Sequence, residues 1–216
     1  MDTKAVIFDL DGTLLNTLED LTNSTNYALA CFNYPQKTIE QIRQFVGNGV
    51  YKLIERALPQ GLEDKNFDKC LELFKQHYKE NMYNKTQPYF GIIPMLEKLK
   101  ALDIKTAVVS NKFDAAVKEL CDYYFKDLID FSAGENEAKG VRKKPAPDTV
   151  FDVLNKFNSN KEKTVYVGDS EVDIQTARNA QLRCISVSWG FKDRKFLELN
   201  NAENIIDTPD EIFQYL

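Results

Sequence analysis

One stretch near the start of the chain decides the fold: residues 5–13 read AVIFDLDGT. Its first four residues are apolar, which is typical of a short strand that is buried on both faces. Two aspartates and a glycine follow at once. In an open sheet of parallel strands, ligands bind beyond the carboxyl ends of the strands. The stretch therefore predicts a buried strand that places Asp9 and Asp11 at a binding site.

The two aspartates are spaced so that they can act together. Carboxylates two positions apart point to the same side of an extended backbone, and Gly12 lets the chain turn sharply after them. A simple acidic turn is the alternative interpretation of these five residues alone. The rest of the chain has to distinguish the two interpretations.

Apolar runs of the same kind recur along the sequence and alternate with helical patterns. The runs lie at residues 104–109, 164–167 and 184–187, with weaker ones at 128–131 and 204–206. Apolar residues at helical spacing lie at 93–102, 114–124, 147–157 and 173–180. Strands that alternate with helices predict a parallel sheet covered by helices on both faces.

Residues 17–86 interrupt this alternation. Their apolar residues follow a helical spacing throughout, and the short segment Gly47-Asn48-Gly49 separates two of the helices. We therefore expect an α/β fold in which a three-layer, Rossmann-like parallel sheet domain contains an inserted all-helical domain. The sheet domain would be discontinuous, formed by residues 1–16 and 87–216, and the insert would be residues 17–86.

Composition excludes several classes of function. The 216 residues carry a net charge of −5, and the insert has equal numbers of basic and acidic side chains. A basic excess that would attract nucleic acid or anionic lipid is absent, and no apolar run is long enough to cross a bilayer. The four cysteines form no C-x-x-C pair. With no secretory leader at the start, we expect a cytoplasmic protein with free thiols.

Polar residues follow the second strand as well. Ser110 and Asn111 come directly after the apolar run 104–109. A hydroxyl and an amide at the end of a parallel strand are suited to hold a phosphoryl oxygen.

A lysine lies in a stiffened loop further along. Lys144 precedes Pro145 and Pro147, and the two prolines restrict the backbone. Lys144 can therefore be a positioned cation, although a basic surface loop is an equal alternative when the motif is taken alone.

Acids follow the strand at 164–167 in the same way. Asp169 and Asp173 could complete a magnesium site, or they could cap the start of the next helix. Each motif has an ordinary structural explanation, but all of them would have to coincide at strand ends by accident.

The four motifs, in this order, resemble the haloacid dehalogenase superfamily of phosphotransferases. The resemblance runs from Asp9 to Asp173, and the helical insert resembles the type-one cap of that superfamily. Within it, the chain is most similar to the phosphoglycolate phosphatases. That likeness lies in four further stretches: FVGNG at 45–49, YFGI at 89–92, SNK at 110–112 and SWGF at 188–191. Pyrophosphatases and nucleotidases share part of these stretches.

The resemblance implies catalytic and metal-binding roles. Asp9 would be the nucleophile that forms an aspartyl-phosphate, and Asp11 would act as general acid and base. Mg2+ would be held by the Asp9 carboxylate, the Asp11 backbone carbonyl and Asp169. Asp173 would orient these ligands from behind, and Lys144 would balance the clustered acids.

The remaining expected site residues bind substrate. Ser110, with nearby backbone amides, would hold phosphoryl oxygens where charge develops. Thr13, Asn111 and the cap-loop residues are also expected to bind substrate; the cap-loop residues are Gly47, Asn48 and Gly49. The backbone amides near Gly49 and the side chain of Arg56 are the candidates to bind a carboxylate on the substrate.

These roles lead to an expected function. The chain would be a magnesium-dependent hydrolase of small phosphomonoesters, with 2-phosphoglycolate as the leading substrate and no nucleic-acid or membrane partner. The alternatives are a pyrophosphatase, a nucleotidase or a sugar phosphomutase of the same superfamily. A non-catalytic binding protein on the same fold is a further alternative, against which the intact Asp9, Asp11, Lys144 and Asp169 argue.

Overall fold

The computed structural model of the chain describes residues 3–137 and 140–216. Four residues of the predicted sheet domain lie outside the described residues: Met1, Asp2, Ala138 and Lys139. The chain divides into two compact units. One consists of Met1–Leu15 and Pro88–Leu216, and the other of Asn16–Gln87.

Strands and helices alternate over most of the described chain. The strands are β1 (Ala5–Phe8), β2 (Leu15–Asn16), β3 (Gln87–Pro88), β4 (Lys105–Phe113), β5 (Phe131–Glu135), β6 (Thr164–Gly168), β7 (Arg183–Val187) and β8 (Ile205–Ile206). The helices are α1 (Leu18–Ala30), α2 (Ile39–Phe45), α3 (Val50–Ala57), α4 (Phe67–Asn81), α5 (Ile92–Ala101), α6 (Asp114–Tyr124), α7 (Asp148–Phe157), α8 (Glu171–Ala180) and α9 (Arg194–Leu199). Short 3-10 helices lie at Gly61–Glu63, Lys161–Lys163 and Pro209–Gln214. Within the described residues, no helix has both the length and the apolar character needed to span a membrane.

Six strands of the first unit form one parallel sheet in the order β5-β4-β1-β6-β7-β8. The central strand β1 is fully buried, because β4 and β6 flank it and both of its faces are covered. Val150 and Val153 of α7 pack in one apolar cluster with Ile7 of β1 and Tyr166 of β6. The predicted α/β class with a parallel sheet is confirmed.

The register of the sheet determines where the site lies. Phe8, the last residue of β1, is level with Val108 of β4 and with Val167 of β6. The residues that follow these three positions therefore emerge at the same edge of the sheet.

The short strands β2 and β3 were not predicted, and two of the predicted strands have clearly different bounds. The apolar run 128–131 was expected to be a strand, but β5 begins at Phe131, where its pairing with Ala107 begins. The Leu128 carbonyl instead accepts a hydrogen bond from the Thr106 hydroxyl at 2.7 Å. The strand β4 also continues past Ser110 to Phe113. Its register with β5 shifts between Val109 and Phe113, and such irregularities re-aim side chains next to active sites.

The second unit is helical. The helices α1 and α4 carry its core, which includes the fully buried Leu29 and Phe74. Thr38 caps the start of α2 through a capping box that involves Gln41. The loop between α2 and α3 needs glycine at two positions, because Gly47 and Gly49 have φ values of 109° and 85°.

Candidate active site

Asp9 is fixed directly after the central strand. Its backbone N–H donates to the Val167 carbonyl at 2.9 Å, so the sheet itself determines the position of the residue. The residue is only 7% exposed. The chain then turns at Gly12, whose φ is +88° and where a Cβ atom would overlap the Asp169 carboxylate. Glycine at this position lets the loop that carries Asp9 approach Asp169.

The Lys144 ammonium group bonds to three side chains that lie far from it in sequence. Its Nζ donates to Oδ1 of Asp9 at 2.7 Å, to Oδ1 of Asp173 at 2.8 Å and to the Tyr166 hydroxyl at 3.1 Å. The Asn111 side-chain amide donates to the Lys144 carbonyl at 3.0 Å. Lys144 is buried, so it is a positioned cation of the site and not part of a basic surface loop.

Asp173 is held by four hydrogen bonds. Oδ1 accepts from Lys144 and from the Tyr166 hydroxyl at 3.2 Å. Oδ2 accepts from the backbone N–H and the hydroxyl of Ser170, at 3.2 and 2.6 Å. A carboxylate offers about four lone-pair positions, so these donors occupy Asp173. The geometry suits a residue that orients its neighbours more than one that binds a metal directly.

Asp169 completes a group of three buried acids. Its Oδ2 accepts from the Phe191 backbone N–H at 2.7 Å, and the residue is buried. One carboxylate oxygen from each of Asp9, Asp169 and Asp173 lies within 4.8 Å of the others.

Burial and neighbouring charges shift the pKa values of Asp9, Asp169 and Lys144. Burial raises the pKa of Asp9 to about 7; the Asp173 carboxylate adds to this rise, and Lys144 opposes it. Burial and then the carboxylates of Asp173 and Asp9 hold the pKa of Asp169 well above its ordinary value. Burial disfavours the ammonium form of Lys144, but the Asp173 and Asp9 carboxylates together raise the Lys144 pKa well above that of an ordinary lysine.

The residues present fit a divalent cation. When all three acids are ionised, Lys144 leaves two of their negative charges without a partner cation among these four side chains. Carboxylate and backbone carbonyl oxygens are the ligands that Mg2+ prefers in proteins. The site can therefore hold Mg2+ beside Asp9 and Asp169.

Asp11 belongs to a second ion pair. The Lys112 Nζ donates to both Asp11 carboxylate oxygens at 2.9 Å, and the Lys112 side chain is 4% exposed. The SNK motif pointed to this lysine, but sequence reasoning gave it no role. Tyr166 was missed in the same way, although a tyrosine inside a buried apolar strand usually needs a partner for its hydroxyl.

The predicted substrate-binding residues fall into two groups. Ser110, Asn111 and Thr13 are buried in the unit that contains the acids. Among the described residues, the Thr13 hydroxyl oxygen is buried with no hydrogen-bond partner, which is costly unless a ligand supplies one.

The other group is the loop Gly47, Asn48 and Gly49, which lies in the helical unit between α2 and α3. Arg56 holds this loop in shape. Its guanidinium donates to the Phe45 carbonyl at 2.6 Å and to Oδ1 of Asn48 at 2.8 Å. The structure thus gives Arg56 a role in supporting the loop.

Known proteins resemble this chain over most of its length. A family model described as haloacid dehalogenase-like hydrolase matches residues 6–187. A phosphoglycolate phosphatase of Mesorhizobium japonicum is 30% identical over 201 residues, which cover 92% of this chain and 88% of the relative. One from Aquifex aeolicus is 32% identical over 193 residues, covering 87% and 86%. The crystal structure of a proposed phosphoglycolate phosphatase from Lactobacillus delbrueckii subsp. bulgaricus superposes with a TM-score of 0.94 at 36% identity, covering 100% of this chain and 98% of that one.

Proposed function

The chain belongs to the haloacid dehalogenase-like hydrolases, and from this premise we propose that it hydrolyses small phosphate monoesters, with Mg2+ as cofactor and 2-phosphoglycolate as substrate. The observation that carries the proposal is the buried cluster in which the Lys144 Nζ lies 2.7 Å from Asp9 and 2.8 Å from Asp173. A nucleophilic carboxylate with a fixed cation beside it is the arrangement that attack on a phosphate dianion requires.

Asp9 is the proposed nucleophile. Its carboxylate oxygen attacks phosphorus and the bond from phosphorus to the ester oxygen breaks, so the phosphoryl group is held as an aspartyl-phosphate. Water then attacks phosphorus, releases inorganic phosphate and restores the carboxylate. Asp11 donates a proton to the departing ester oxygen and later accepts one from the attacking water. The two bonds from Lys112 hold Asp11 in one orientation between these events.

We propose that three groups hold Mg2+: the Asp9 carboxylate, the Asp11 backbone carbonyl and the Asp169 carboxylate. When bound, Mg2+ lowers the repulsion between the nucleophile and the phosphate and stabilises the charge that develops. Asp173 supports the site indirectly, because it fixes Lys144 and the Ser170 turn through its four hydrogen bonds. Ser110, Asn111 and Thr13 bind the ester, and the Thr13 hydroxyl gains the partner it otherwise lacks among the described residues.

The choice of 2-phosphoglycolate rests on the names of the relatives and on the helical unit. We propose that the predicted insert, residues 17–86, is a cap that selects the ester. Its loop Gly47, Asn48 and Gly49 is small and is held by Arg56. An equal number of basic and acidic side chains in the insert suits a small ester better than a polyphosphate or an oligonucleotide.

A panel of esters tests the proposal. With Mg2+ present, we expect kcat/KM for 2-phosphoglycolate to exceed that for ethyl phosphate by at least about tenfold, or roughly 1.4 kcal/mol. Ethyl phosphate lacks the carboxylate of 2-phosphoglycolate. The protein groups that would donate hydrogen bonds to that carboxylate would therefore remain without partners. The measurement is the release of inorganic phosphate. The panel includes pyrophosphate and a nucleoside monophosphate, and glucose 1-phosphate is added as a competing acceptor to detect a mutase.

Two controls separate the parts of the proposal. Asp9→Asn keeps the shape of the side chain but removes the nucleophile, so it should abolish turnover of every ester while the chain stays folded. Asp152→Asn, on the exposed side of α7, should leave turnover unchanged. More than a few per cent of residual activity in Asp9→Asn would refute the assignment of Asp9 as the nucleophile. A higher kcat/KM for pyrophosphate or the nucleotide than for 2-phosphoglycolate would refute the assignment of 2-phosphoglycolate as the substrate. It would not contradict the proposed hydrolase activity.

A further inference from the structure

The turn after β7 has no role in the mechanism above, although its sequence, SWGF at 188–191, is one of the stretches that the sequence analysis singled out. The turn lies against two parts of the metal site that are far apart in the chain. One part is Asp169, and the other is the loop of residues 9–13.

The contact with Asp169 is a direct hydrogen bond. The Phe191 backbone N–H donates to Oδ2 of Asp169 at 2.7 Å. Gly190 lies so close that a Cβ atom there would overlap both Asp169 and the Gly12 carbonyl. The Asp169 carboxylate therefore lies in close contact with both the backbone of this turn and Gly12.

The contact with the second part comes from the indole. Nε1 of Trp189 donates to the Thr13 carbonyl at 3.0 Å. Thr13 ends the stretch that begins with Asp9, so this bond joins the turn to the loop that carries the nucleophile.

The turn is itself anchored at its start. The Ser188 backbone N–H donates to the Ile206 carbonyl at 3.0 Å, and the Ser188 hydroxyl bonds to the Asp207 carboxylate. Arg194 holds the same Asp207 carboxylate at 2.7 Å. A segment fixed in this way can hold its neighbours in place, because it has little freedom to follow them.

We propose that residues 188–191 form a positioning element for the metal site, in which Trp189 and Phe191 hold the 9–13 loop and the Asp169 carboxylate at the separation that Mg2+ needs. The inference rests on the proposed function, because it concerns the metal ligands assigned there. Trp189 and Phe191 act through other residues and make no contact with the ester in this scheme. Supporting groups of this kind are known to change metal affinity by one to two orders of magnitude when they are removed.

The chain provides its own reporter for the test, because Trp189 is its single tryptophan. We expect the fluorescence of the folded chain to change in a saturable way when Mg2+ alone is added after chelator is removed, since the cation polarises the loop whose carbonyl accepts the indole bond. Calorimetric titration with Mg2+ gives the dissociation constant independently of fluorescence and of activity.

Two variants probe the element. Trp189→Phe keeps an aromatic ring but loses the N–H donor, and we expect it to raise the Mg2+ dissociation constant at least about threefold. Gly190→Ala forces Asp169 aside, and we expect a rise of about tenfold or more. Gly61→Ala is the control for a glycine substitution that strains the backbone away from the metal site, because Gly61 has a φ of +57°. It lies in the helical unit, where its Cβ would approach the Glu55 carbonyl to only 3.5 Å, and it should leave the Mg2+ dissociation constant unchanged.

The outcomes distinguish this inference from the proposed function. If the wild-type chain binds Mg2+ and folded Trp189→Phe binds it equally well, the positioning role is overturned and the proposed function stands. Saturable binding in calorimetry with no change in fluorescence would also overturn the role of Trp189. If the wild-type chain binds no Mg2+, both proposals fail. Should Gly190→Ala fail to fold, Trp189→Phe still decides the matter.

Discussion

Asp9 is buried beside other carboxylates, and burial raises its pKa from 3.8 to about 7. Between about pH 4 and pH 7 the unfolded chain has therefore released this proton, whereas the folded chain keeps it. The unfolded state binds fewer protons in this range, so the free energy of unfolding falls as the pH rises. Each unit of pKa difference corresponds to about 1.4 kcal/mol, so in chelator we expect Asp9 to cost up to about 4 kcal/mol of stability by pH 8.

Urea unfolding in chelator at pH 5 and pH 8 measures this effect. Asp9→Asn cannot ionise, so the loss of stability between the two pH values should be smaller in this variant than in the wild-type chain. Asp152→Asn, an exposed aspartate of the same unit, should behave like the wild-type chain. Equal losses in Asp9→Asn and the wild-type chain would contradict the assignment of the raised pKa to Asp9.

Lys112 is the residue whose role the structure adds to the sequence analysis. Lys112→Met removes both bonds that orient Asp11, so the acid is less well placed to protonate the departing oxygen. Poor leaving groups need that proton most. We expect kcat for an alkyl phosphate to fall about tenfold, and kcat for an activated aryl phosphate to change much less.

Steady-state rates with the two esters check this prediction. Lys118→Met removes an exposed lysine–carboxylate pair, with Asp114 of α6, and should change neither rate. An equal loss of kcat for both esters in Lys112→Met would show that Lys112 supports the site in some other way than by orienting the acid.

Sequence reasoning at this scale identifies the groups that follow strands but not the contacts between their side chains. Asp9 and Asp169 are recognisable because each follows an apolar run. The ion pair of Lys112 with Asp11 depends on the register of β1 against β4 and on the irregularity after Val109. Neither is encoded in local spacing, so the pair could not be predicted.

At the scale of elements, α1 is joined to the end of the helical unit by one carboxylate. Asp20 is buried, and its Oδ2 accepts from the backbone N–H of Lys85 at 2.9 Å and from the N–H and hydroxyl of Thr86 at 2.8 and 2.9 Å. Asp20→Ala removes the acceptor of the two buried Thr86 donors and of the partly buried Lys85 N–H. We expect the free energy of unfolding to fall by roughly 2–4 kcal/mol.

Urea unfolding of three variants checks the role of Asp20. Asp20→Asn keeps an acceptor oxygen and should lose less stability than Asp20→Ala. Glu19→Ala removes the neighbouring acid, which is exposed and lies 3.8 Å from Lys85, and should change stability by less than about 0.5 kcal/mol. A comparable loss in Glu19→Ala would mean that general charge near the helix start matters more than the Asp20 bonds.

The elements themselves were predictable where apolar periodicity was strong. The helix α6 begins and ends at the predicted residues, Asp114 and Tyr124. The strand β5 was misplaced because it lies at the edge of the sheet and contains Ser132, Ala133 and Gly134. Pairing with β4, and not local composition, makes that segment a strand, and pairing cannot be read from a short stretch of sequence.

At the scale of the whole molecule, Mg2+ should stabilise the fold. A ligand that binds only the folded state adds about 2.7 kcal/mol when its concentration is 100 times its dissociation constant. For a chain of this size that corresponds to a rise of about 5–10 °C in the thermal midpoint. Asp169→Asn should lose most of this rise, because it removes a proposed ligand, and Asp152→Asn should keep it.

Thermal unfolding with Mg2+ and with chelator provides the measurement. A full Mg2+-dependent rise in Asp169→Asn would place the cation elsewhere.

The overall α/β architecture was the most predictable property of the molecule, since buried runs such as residues 5–8 alternate with helical patterns. The exact partners of Trp189 and Gly190 were the least predictable, because they come from close approach between segments that are distant in the chain.

The position of β1 between β4 and β6 has a consequence for synthesis on the ribosome. The central strand is made first, but β4 and β6 follow only after the helical unit, and Asp169 follows Asp9 by 160 residues. At roughly 5–20 residues per second, Asp9 waits on the order of 10–30 s for the other half of its site. The helical unit ends at Gln87, so all of its residues are available to fold during that interval. The nascent chain can therefore complete the helical unit before the sheet, and the proposed catalytic centre requires residues that are made after both β1 and the helical unit.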